Sequence, residues 1–443
     1  MSGLARLAAQ AGYAVSGTDR EDSDVLRQLR ALGVATRVGH SADALPAHVD
    51  ALVVSTAIAA DNPERTAAAD RGIPVMHRAD LLAELMRPRR GLAVAGAHGK
   101  STTSAMLAQA LGDVSACIGA TVPGGGGTGA KWGDGPWFVA EADESDRSLL
   151  KLAPEAAILL NVDHDHHTTF ASLAEVEAVF EAFVRRLPDT GVLVVGPDAR
   201  ARAVSASARC AVRLIGDASD AFCAVDRDDD DVALVLHDGR RVPLDLAVPG
   251  RHNQTNAACA VALADWCGVD PTVAVARLRV FTGVGRRFEH RGTVGGITVI
   301  DDYAHHPVEI TATLEAACSR QPKRIVVLFQ PHLYSRTKAL VREFGQALAG
   351  ADVVVVTDIY AAREAFDPSI SGRDVVAAVP STTQARFVPG LDEACAAIAS
   401  ELRAGDLVLT IGAGDVTRAG QELVARLQRR LGDGGDAHAL DAP

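Results

Sequence analysis

Gly96-Ala97-His98-Gly99-Lys100-Ser101-Thr102-Thr103 is the stretch of this chain with the plainest chemical meaning. Leu92 to Ala95 before it read as an apolar strand, and Ser104 to Leu111 after it as a helix. A glycine-rich turn in that setting aims backbone N–H groups and a helix N-terminus at phosphate oxygens. Lysine there meets the outer phosphates, and the hydroxyl after it ligates Mg²⁺. Val94 stands where the strict G-x-x-x-x-G-K-[ST] pattern has its first glycine, so the strand-loop-helix context carries the reading. The competing reading is a tight turn with a surface lysine.

Two further strings follow strand candidates. Glu141-Ala142-Asp143-Glu144-Ser145-Asp146 comes after Trp137 to Ala140. A carboxylate there can face the glycine-rich loop from a neighbouring strand, and Mg²⁺ is commonly held by one or two carboxylates plus phosphates. Without that position an acidic hexamer is usually a solvated loop. Asn161-Val162-Asp163-His164-Asp165-His166-His167 comes after Ala156 to Leu160. Its imidazoles and carboxylates raise zinc, yet one short segment can hardly place four ligands tetrahedrally. A second cation shared with the phosphate site fits better.

The elements that must position these residues alternate short apolar runs with helix-like stretches, the pattern of parallel sheets joined by crossover helices. In the first block, Tyr13 to Val15 and Ala51 to Ser55 read as strands ending at Gly17-Thr18-Asp19 and Ser55-Thr56-Ala57, which puts Asp19 and Ser55 at carboxyl ends, where open α/β sheets bind ligands. Arg87-Pro88-Arg89-Arg90 reads as a linker, and a second boundary falls near Arg291. The blocks are residues 1–88, 89–290 and 291–431, with 432–443 a small polar tail expected to be disordered. Asp226 to Asp231 reads as an acidic looped excursion between short strands; Ile325 to Phe329, Val353 to Thr357 and Leu407 to Ile411 read as strands of a third, doubly wound block.

Bulk properties exclude several classes. At 443 residues the chain needs more than one core, and two to four domains of about 100 to 200 residues follow. No apolar run approaches the roughly 20 residues of a membrane span, and no secretory signal is visible. Seven scattered cysteines without a C-x-x-C pair argue against a disulfide framework or zinc ribbon and suit a reducing cytoplasm. A net charge of -12 without a lysine-arginine block argues against nucleic acid as a partner.

These strings, with Pro249-Gly250-Arg251-His252-Asn253 and Asn256, Gly285-Arg286-Arg287-Phe288, and Asp301-Asp302-Tyr303-Ala304-His305-His306-Pro307, resemble the Mur ligases in type and order. The resemblance runs from Met1 to about Leu431. It implies an α/β, three-domain architecture: an incomplete Rossmann-like domain, a central P-loop ATPase-like domain and a C-terminal Rossmann-like domain. The acidic hexamer and the Asp-Asp-Tyr-Ala-His-His-Pro string, with Gln330-Pro331-His332 and Ser335-Arg336, resemble the branch that joins L-alanine to UDP-N-acetylmuramate. The implied reaction is ATP-dependent activation of the lactyl carboxylate as an acyl phosphate, then amine attack, in a cytoplasmic monomer or dimer.

Residue by residue, the resemblance implies that Gly96, His98, Gly99, Lys100, Ser101 and Thr102 hold the ATP phosphates. Ser101 and Glu141 bind Mg²⁺ or Mn²⁺, and His166 a second divalent ion. His252, Asn253 and Asn256 meet the adenine end, Arg286 the γ-phosphate, and Asp301 or Asp302 the ribose. Tyr303, His305 and Arg336 face the incoming amino acid, with His305, able to titrate near neutrality, a candidate general base. Bland readings remain beside these: helix caps or core polar groups for His252 and Asn256, surface charges for Arg286 and Arg287, a pre-proline turn for His305 and His306. Leu333 stands where some family members have arginine, which puts a second carboxylate-binding cation in doubt. The family opens with a strand and a G-x-G-G-x-G turn running into Met-Ser-Gly-Leu-Ala, so the first domain is expected to lack its central strand, with an upstream start as the expected reason. The alternatives are a ligase recycling a whole tripeptide onto the same sugar, a P-loop ATPase or kinase, and a non-catalytic nucleotide-sugar-binding form.

Overall fold

The computed structural model describes residues 1–123, 128–166, 169–216, 221–228 and 231–435, with side chains as far as Arg430. Its contacts divide into two compact units. One comprises Met1–His164, Thr169–Ala247 and Gln254–Thr282; the other takes in Asp165, His166, Val248–Asn253 and the chain from Gly283 onward. Among the described residues no helix is long and apolar enough to cross a membrane.

In the first unit, Ser16–Asp19 (β1) pairs in parallel with Ala35–Val38 (β2), and Leu52–Val54 (β3) with Val75–His77 (β4). These are two separate ribbons. The strand expected from Tyr13 to its end at Asp19 forms over Ser16–Asp19 only, and Tyr13, after the turn that follows helix Ser2–Gln10, lies 57% exposed. A two-stranded pair is marginal on its own. Helices anchor this segment instead: Leu4, Leu7 and Ala8 of Ser2–Gln10, and Leu82, Leu85 and Met86 of Arg78–Met86, are buried in one cluster with Phe138, Phe180 and Phe183.

That cluster lies on a seven-stranded sheet made of Arg90–Ala95 (β5), Ser115–Cys117 (β6), Ala130–Lys131 (β7), Trp137–Glu141 (β8), Ala156–Leu159 (β9), Val192–Val195 (β10) and Ala211–Leu214 (β11), in the order β11-β10-β9-β5-β8-β6-β7. All neighbours are parallel except β6 and β7. Gly91 to Ala95 are buried without a break, as a parallel strand covered on both faces requires. Because β8 and β9 flank β5, the loops after all three open at one edge of the sheet. The acidic stretch expected to be a loop instead pairs Cys223–Asp228 (β12) with Asp231–Leu236 (β13), which Arg241–Pro243 (β14) extends; positions 229 and 230 lie outside the described residues. All three tryptophans belong to this unit. Trp137 and Trp266 have ring centres 5.8 Å apart with the Arg90 guanidinium 4.0 Å from Trp137, and Trp132 meets Phe138 edge-on at 6.2 Å.

The second unit holds a six-stranded sheet of Glu289–Val294 (β15), Ile297–Asp302 (β16), Arg324–Phe329 (β17), Val353–Val356 (β18), Gln384–Phe387 (β19) and Asp406–Ile411 (β20), ordered β15-β16-β20-β17-β18-β19. Only β15 runs antiparallel to its neighbour. Successive residues serve opposite faces. Val327, Phe329, Leu409 and Ile411 pack with Ile310, Leu314 and Phe344, while Val326, Leu328 and Val408 pack with Ile398 and Leu423. The last helix, Thr417–Gly435, reaches into the stretch expected to be a disordered tail from Gly432. Positions 436–443, like His167, lie outside the described residues.

Candidate active site

At the end of β5 the chain turns through Gly96 at φ +138° and Gly99 at φ +83°. A Cβ on Gly96 would come 3.0 Å from Leu160 Cβ and 3.2 Å from Asn161 N, and one on Gly99 would come 3.1 Å from Asn256 Oδ1. Both the backbone conformation and the space therefore demand glycine. Asn161 fastens the loop: its Oδ1 accepts from His98 N–H at 2.8 Å, and its Nδ2 donates to His98 O at 3.1 Å. The His98 ring lies 3.3 Å from Asp163 Oδ2.

Helix Lys100–Leu111 starts directly from Gly99. Lys100 Nζ donates to Gly96 O at 2.7 Å and Ala97 O at 3.0 Å, and pairs with Glu144 at 2.9 Å. Burial works against that ammonium, but Glu144 and Asp143 outweigh it and raise its pKa above the ordinary value. Ser101 Oγ donates to Glu141 at 2.9 Å, and Gly119 N–H reaches the same carboxylate at 2.7 Å. A hydroxyl and a carboxylate side by side at the head of a phosphate-type loop are the hard-oxygen pair that Mg²⁺ takes, so the residues fit the expected cation. Asn256, expected at the adenine end, packs against Gly99 of the loop. Thr102 is buried behind the loop.

Beyond Glu141 the acidic hexamer is structured. Arg78 Nη2 donates to Asp143 at 2.7 Å and to Asp146 at 3.1 Å. Burial opposes ionisation of Asp143, yet Lys100, Ser145 and Arg78 hold its carboxyl down at about 2. Asp19 is exposed at the end of β1, and Ser55 is half-buried where β3 ends.

In the second unit, Asp301 is fully enclosed and accepts from Arg291, Thr410 and Thr417 at 3.0, 2.8 and 2.8 Å, with Arg286 Nε 3.4 Å away. Asp302 accepts from Phe288 N–H at 2.7 Å and Ala304 N–H at 2.8 Å, and burial pushes its carboxyl up to about 6. Both carboxylates expected near the ribose thus have internal donors. Arg286, at φ +58°, donates to Gly412 O at 2.6 Å and lies 4.8 Å from the Tyr303 ring. Asn253 Nδ2 donates to Pro249 O at 2.7 Å, and His252 beside it is exposed.

Tyr303, His305, His332, Arg336 and Asp165 form one cluster. Arg336, 3% exposed, meets Asp165 Oδ1 through Nη2 at 2.7 Å and Nε at 3.1 Å, and touches His332 Nδ1 at 3.2 Å. Against the effect of burial, Arg336 holds the Asp165 carboxyl far below the carboxylate range. His305 Nδ1 lies 3.0 Å from Tyr303 O and 3.3 Å from Glu309. A carbonyl can only accept, so Nδ1 carries the proton and Nε2 presents a lone pair. Burial lowers His305 to about 4, with Glu309 opposing and Arg336 adding to the shift. His332 stacks on Tyr360 with ring centres 5.9 Å apart. Leu333 next to it is held at φ +71°, its N–H donating to Tyr360 O at 2.9 Å. His166 belongs to this unit, where its ring lies 3.8 Å from Asp165 and its backbone takes φ +55°.

Sequence reasoning did not single out Arg78, Asp165 or Glu309 as site residues, and ranked Glu144 below Glu141. Arg78 stands in no motif, and its partner Asp143 is 65 residues away. Asp165 and His332 lay inside strings already noticed, but only folding shows which members of a string converge.

Three family models match successive parts of the chain: "Mur ligase family, catalytic domain" over 1–90, "Mur ligase middle domain" over 135–264, and "Mur ligase, glutamate ligase domain" over 286–414. The UDP-N-acetylmuramate–L-alanine ligase of Kineococcus radiotolerans is 45% identical, covering 97% of this chain and 94% of its own, and that of Streptomyces avermitilis is 44% identical, covering 97% and 96%. Among solved structures, the UDP-N-acetylmuramate-alanine ligase of Thermotoga maritima is 28% identical with a TM-score of 0.80 over 97% of each chain. A murein peptide ligase of Psychrobacter arcticus is 25% identical with a TM-score of 0.72 over 96% of each. A glycine turn that admits no side chain, a lysine and a serine each paired to a carboxylate behind it, and matches spanning nearly the whole length agree on one conclusion: this chain is an enzyme of the Mur ligase family.

Proposed function

We propose that the enzyme joins L-alanine to the lactyl carboxylate of UDP-N-acetylmuramate, using ATP and releasing ADP and phosphate. The observation that carries this reading is the pairing of Lys100 with Glu144 and Ser101 with Glu141 behind the glycine turn, in a chain alike over nearly its full length to ligases of that name. Residues 1–88 hold the nucleotide sugar, with Asp19 and Ser55 at its edge; 89–290 hold ATP, and 291–431 the amino acid. Magnesium, or manganese in its place, would sit on Ser101 and Glu141 and supply positive charge to the phosphate oxygens when bound.

The rest of the chemistry belongs to side chains. Lys100 exchanges Glu144 for the γ-phosphoryl group, and Arg286 adds a second cation to it; alignment and charge stabilisation dominate such transfers. The acyl phosphate forms when a lactyl carboxylate oxygen attacks the γ-phosphorus and ADP departs. The alanine nitrogen then attacks the acyl carbon, expelling phosphate and losing a proton. His305 keeps its proton on Nδ1 and offers the Nε2 lone pair to the amino group. It serves by orienting the neutral amine, with Tyr303 and Arg336 around it. A cytoplasmic site and a monomeric or dimeric state, without nucleic-acid or membrane partners, complete the reading.

Phosphate release with UDP-N-acetylmuramate and ATP, compared across L-alanine, glycine, L-serine and the tripeptide, tests it. L-Alanine should give the highest kcat/KM. Preference for the tripeptide would assign the chain to the recycling branch, and ATP turnover indifferent to any amine would overturn the ligase reading.

A further inference from the structure

Arg78 links two parts of the first unit that serve different substrates in the proposed reaction. It is the first residue of helix Arg78–Met86, directly after β4, and capping fixes its place: His77 Nδ1 accepts from Ala79 N–H at 3.3 Å, and Asp80 Oδ2 accepts from His77 N–H at 2.9 Å. From there a single nitrogen, Nη2, reaches both Asp143 and Asp146, at 2.7 and 3.1 Å. Asp146 also accepts from the Thr56 hydroxyl at 3.2 Å, in the turn after β3, and lies 3.5 Å from His77 Nε2. The carboxyl ends of β3 and β4 thus meet the loop after β8 at two aspartates. Those aspartates bracket Glu144, the residue that holds Lys100 Nζ at 2.9 Å.

Charge makes this link consequential. Glu141, Asp143, Glu144 and Asp146 crowd one short loop; Lys100 pairs directly with Glu144, and Arg78 neutralises Asp143 and Asp146. Without the guanidinium, Lys100, which already feels Asp143 as well as Glu144, is left alone to balance both, and an ammonium held by two carboxylates is drawn away from phosphate. Resting on the reading of residues 1–88 as the nucleotide-sugar module, we infer that Arg78 is a positioning residue: nucleotide sugar at the carboxyl ends of β3 and β4 acts through it to set Lys100 for ATP, so the two ligands bind cooperatively.

Calorimetric titration of magnesium AMP-PNP into the full chain, alone and saturated with UDP-N-acetylmuramate, tests this. In the unaltered enzyme the nucleotide sugar should tighten AMP-PNP binding about five-fold or more, and the reverse titration should give the same factor. Arg78→Ala and Asp146→Asn should bring the factor close to one while each ligand still binds. Arg78→Lys, which keeps the charge and loses the reach to both carboxylates, should retain part of it. Variants that melt earlier but keep the full factor would reduce Arg78 to a structural tie and overturn the inference, as would an unaltered enzyme whose ligands bind independently. Absence of any UDP-N-acetylmuramate binding is a distinct outcome: it overturns the functional reading and this inference with it.

Discussion

Single side chains decide which of the neighbouring acidic groups does what. Lys100→Ala should lower kcat at least about 100-fold, the scale of removing one preorganised charge from a transferring group, with protein of unchanged melting temperature as the control. Glu141→Gln should raise the Mg²⁺ concentration for half-maximal rate by about 10- to 100-fold. Glu144→Gln should depress the rate without that change, because its carboxylate meets Lys100 and not Ser101. A metal titration of both variants separates the two roles, and equal shifts would mean the carboxylates share the cation. The imidazole cluster gives a stability prediction. Burial, His305 and Arg336 lower His332 to about 3 from 6.5. A base whose folded pKa is depressed takes its proton first in the unfolded chain, so its contribution is full above about 6.5 and is lost as pH falls toward 3. Asp302, raised to about 6, works in the opposite sense, costing stability as pH rises from about 4 to 6. His332→Gln should therefore flatten the acid-side fall between pH 6 and 4 by up to about 1.4 kcal/mol per pH unit, measured by urea unfolding across that range.

Elements were legible wherever burial on two faces forces a continuous apolar run. Leu92 to Ala95, Ile325 to Phe329 and Leu407 to Ile411 were read within one or two residues of their observed bounds for that reason. The first strand was read to its end at Asp19 but from too early a start: the apolar Tyr13 to Val15 carry the signal, while the mostly exposed Ser-Gly-Thr-Asp forms the ladder. The acidic hairpin was read as short strands around too long a loop, since Asp226 and Asp228 occupy strand positions that sequence statistics assign to loops. The ribbons β1·β2 and β3·β4, each of two short half-exposed strands, should open more readily than the seven-stranded sheet. Native-state hydrogen exchange should find amides of Ser16–Asp19 and Leu52–Val54 exchanging at least about tenfold faster than those of β5 and β9; equal protection would mean that the anchoring helices stabilise the ribbons as fully as a sheet would.

At the scale of the molecule, the ordered series of strings from Gly96 to Arg336 was enough to place the chain among the Mur ligases, since no single motif needed to be perfect. What the series could not convey was internal partnership: Asp301, Asp302 and Arg336 bond to Thr410, Phe288 and Asp165, which no motif spacing links to them. The distribution of tryptophan adds a practical consequence. Trp132, Trp137 and Trp266 all belong to the first unit, and the second holds none. Intrinsic fluorescence excited at the indole band is therefore a meter for one half of the enzyme. Its quantum yield and emission maximum answer to Arg90, Phe138 and the Trp137–Trp266 contact, and are silent on the cluster around His305. A denaturant curve followed by fluorescence should coincide with one followed by far-ultraviolet dichroism only if the two units unfold together. A gap between the midpoints would expose an intermediate in which one unit has melted and the other still holds.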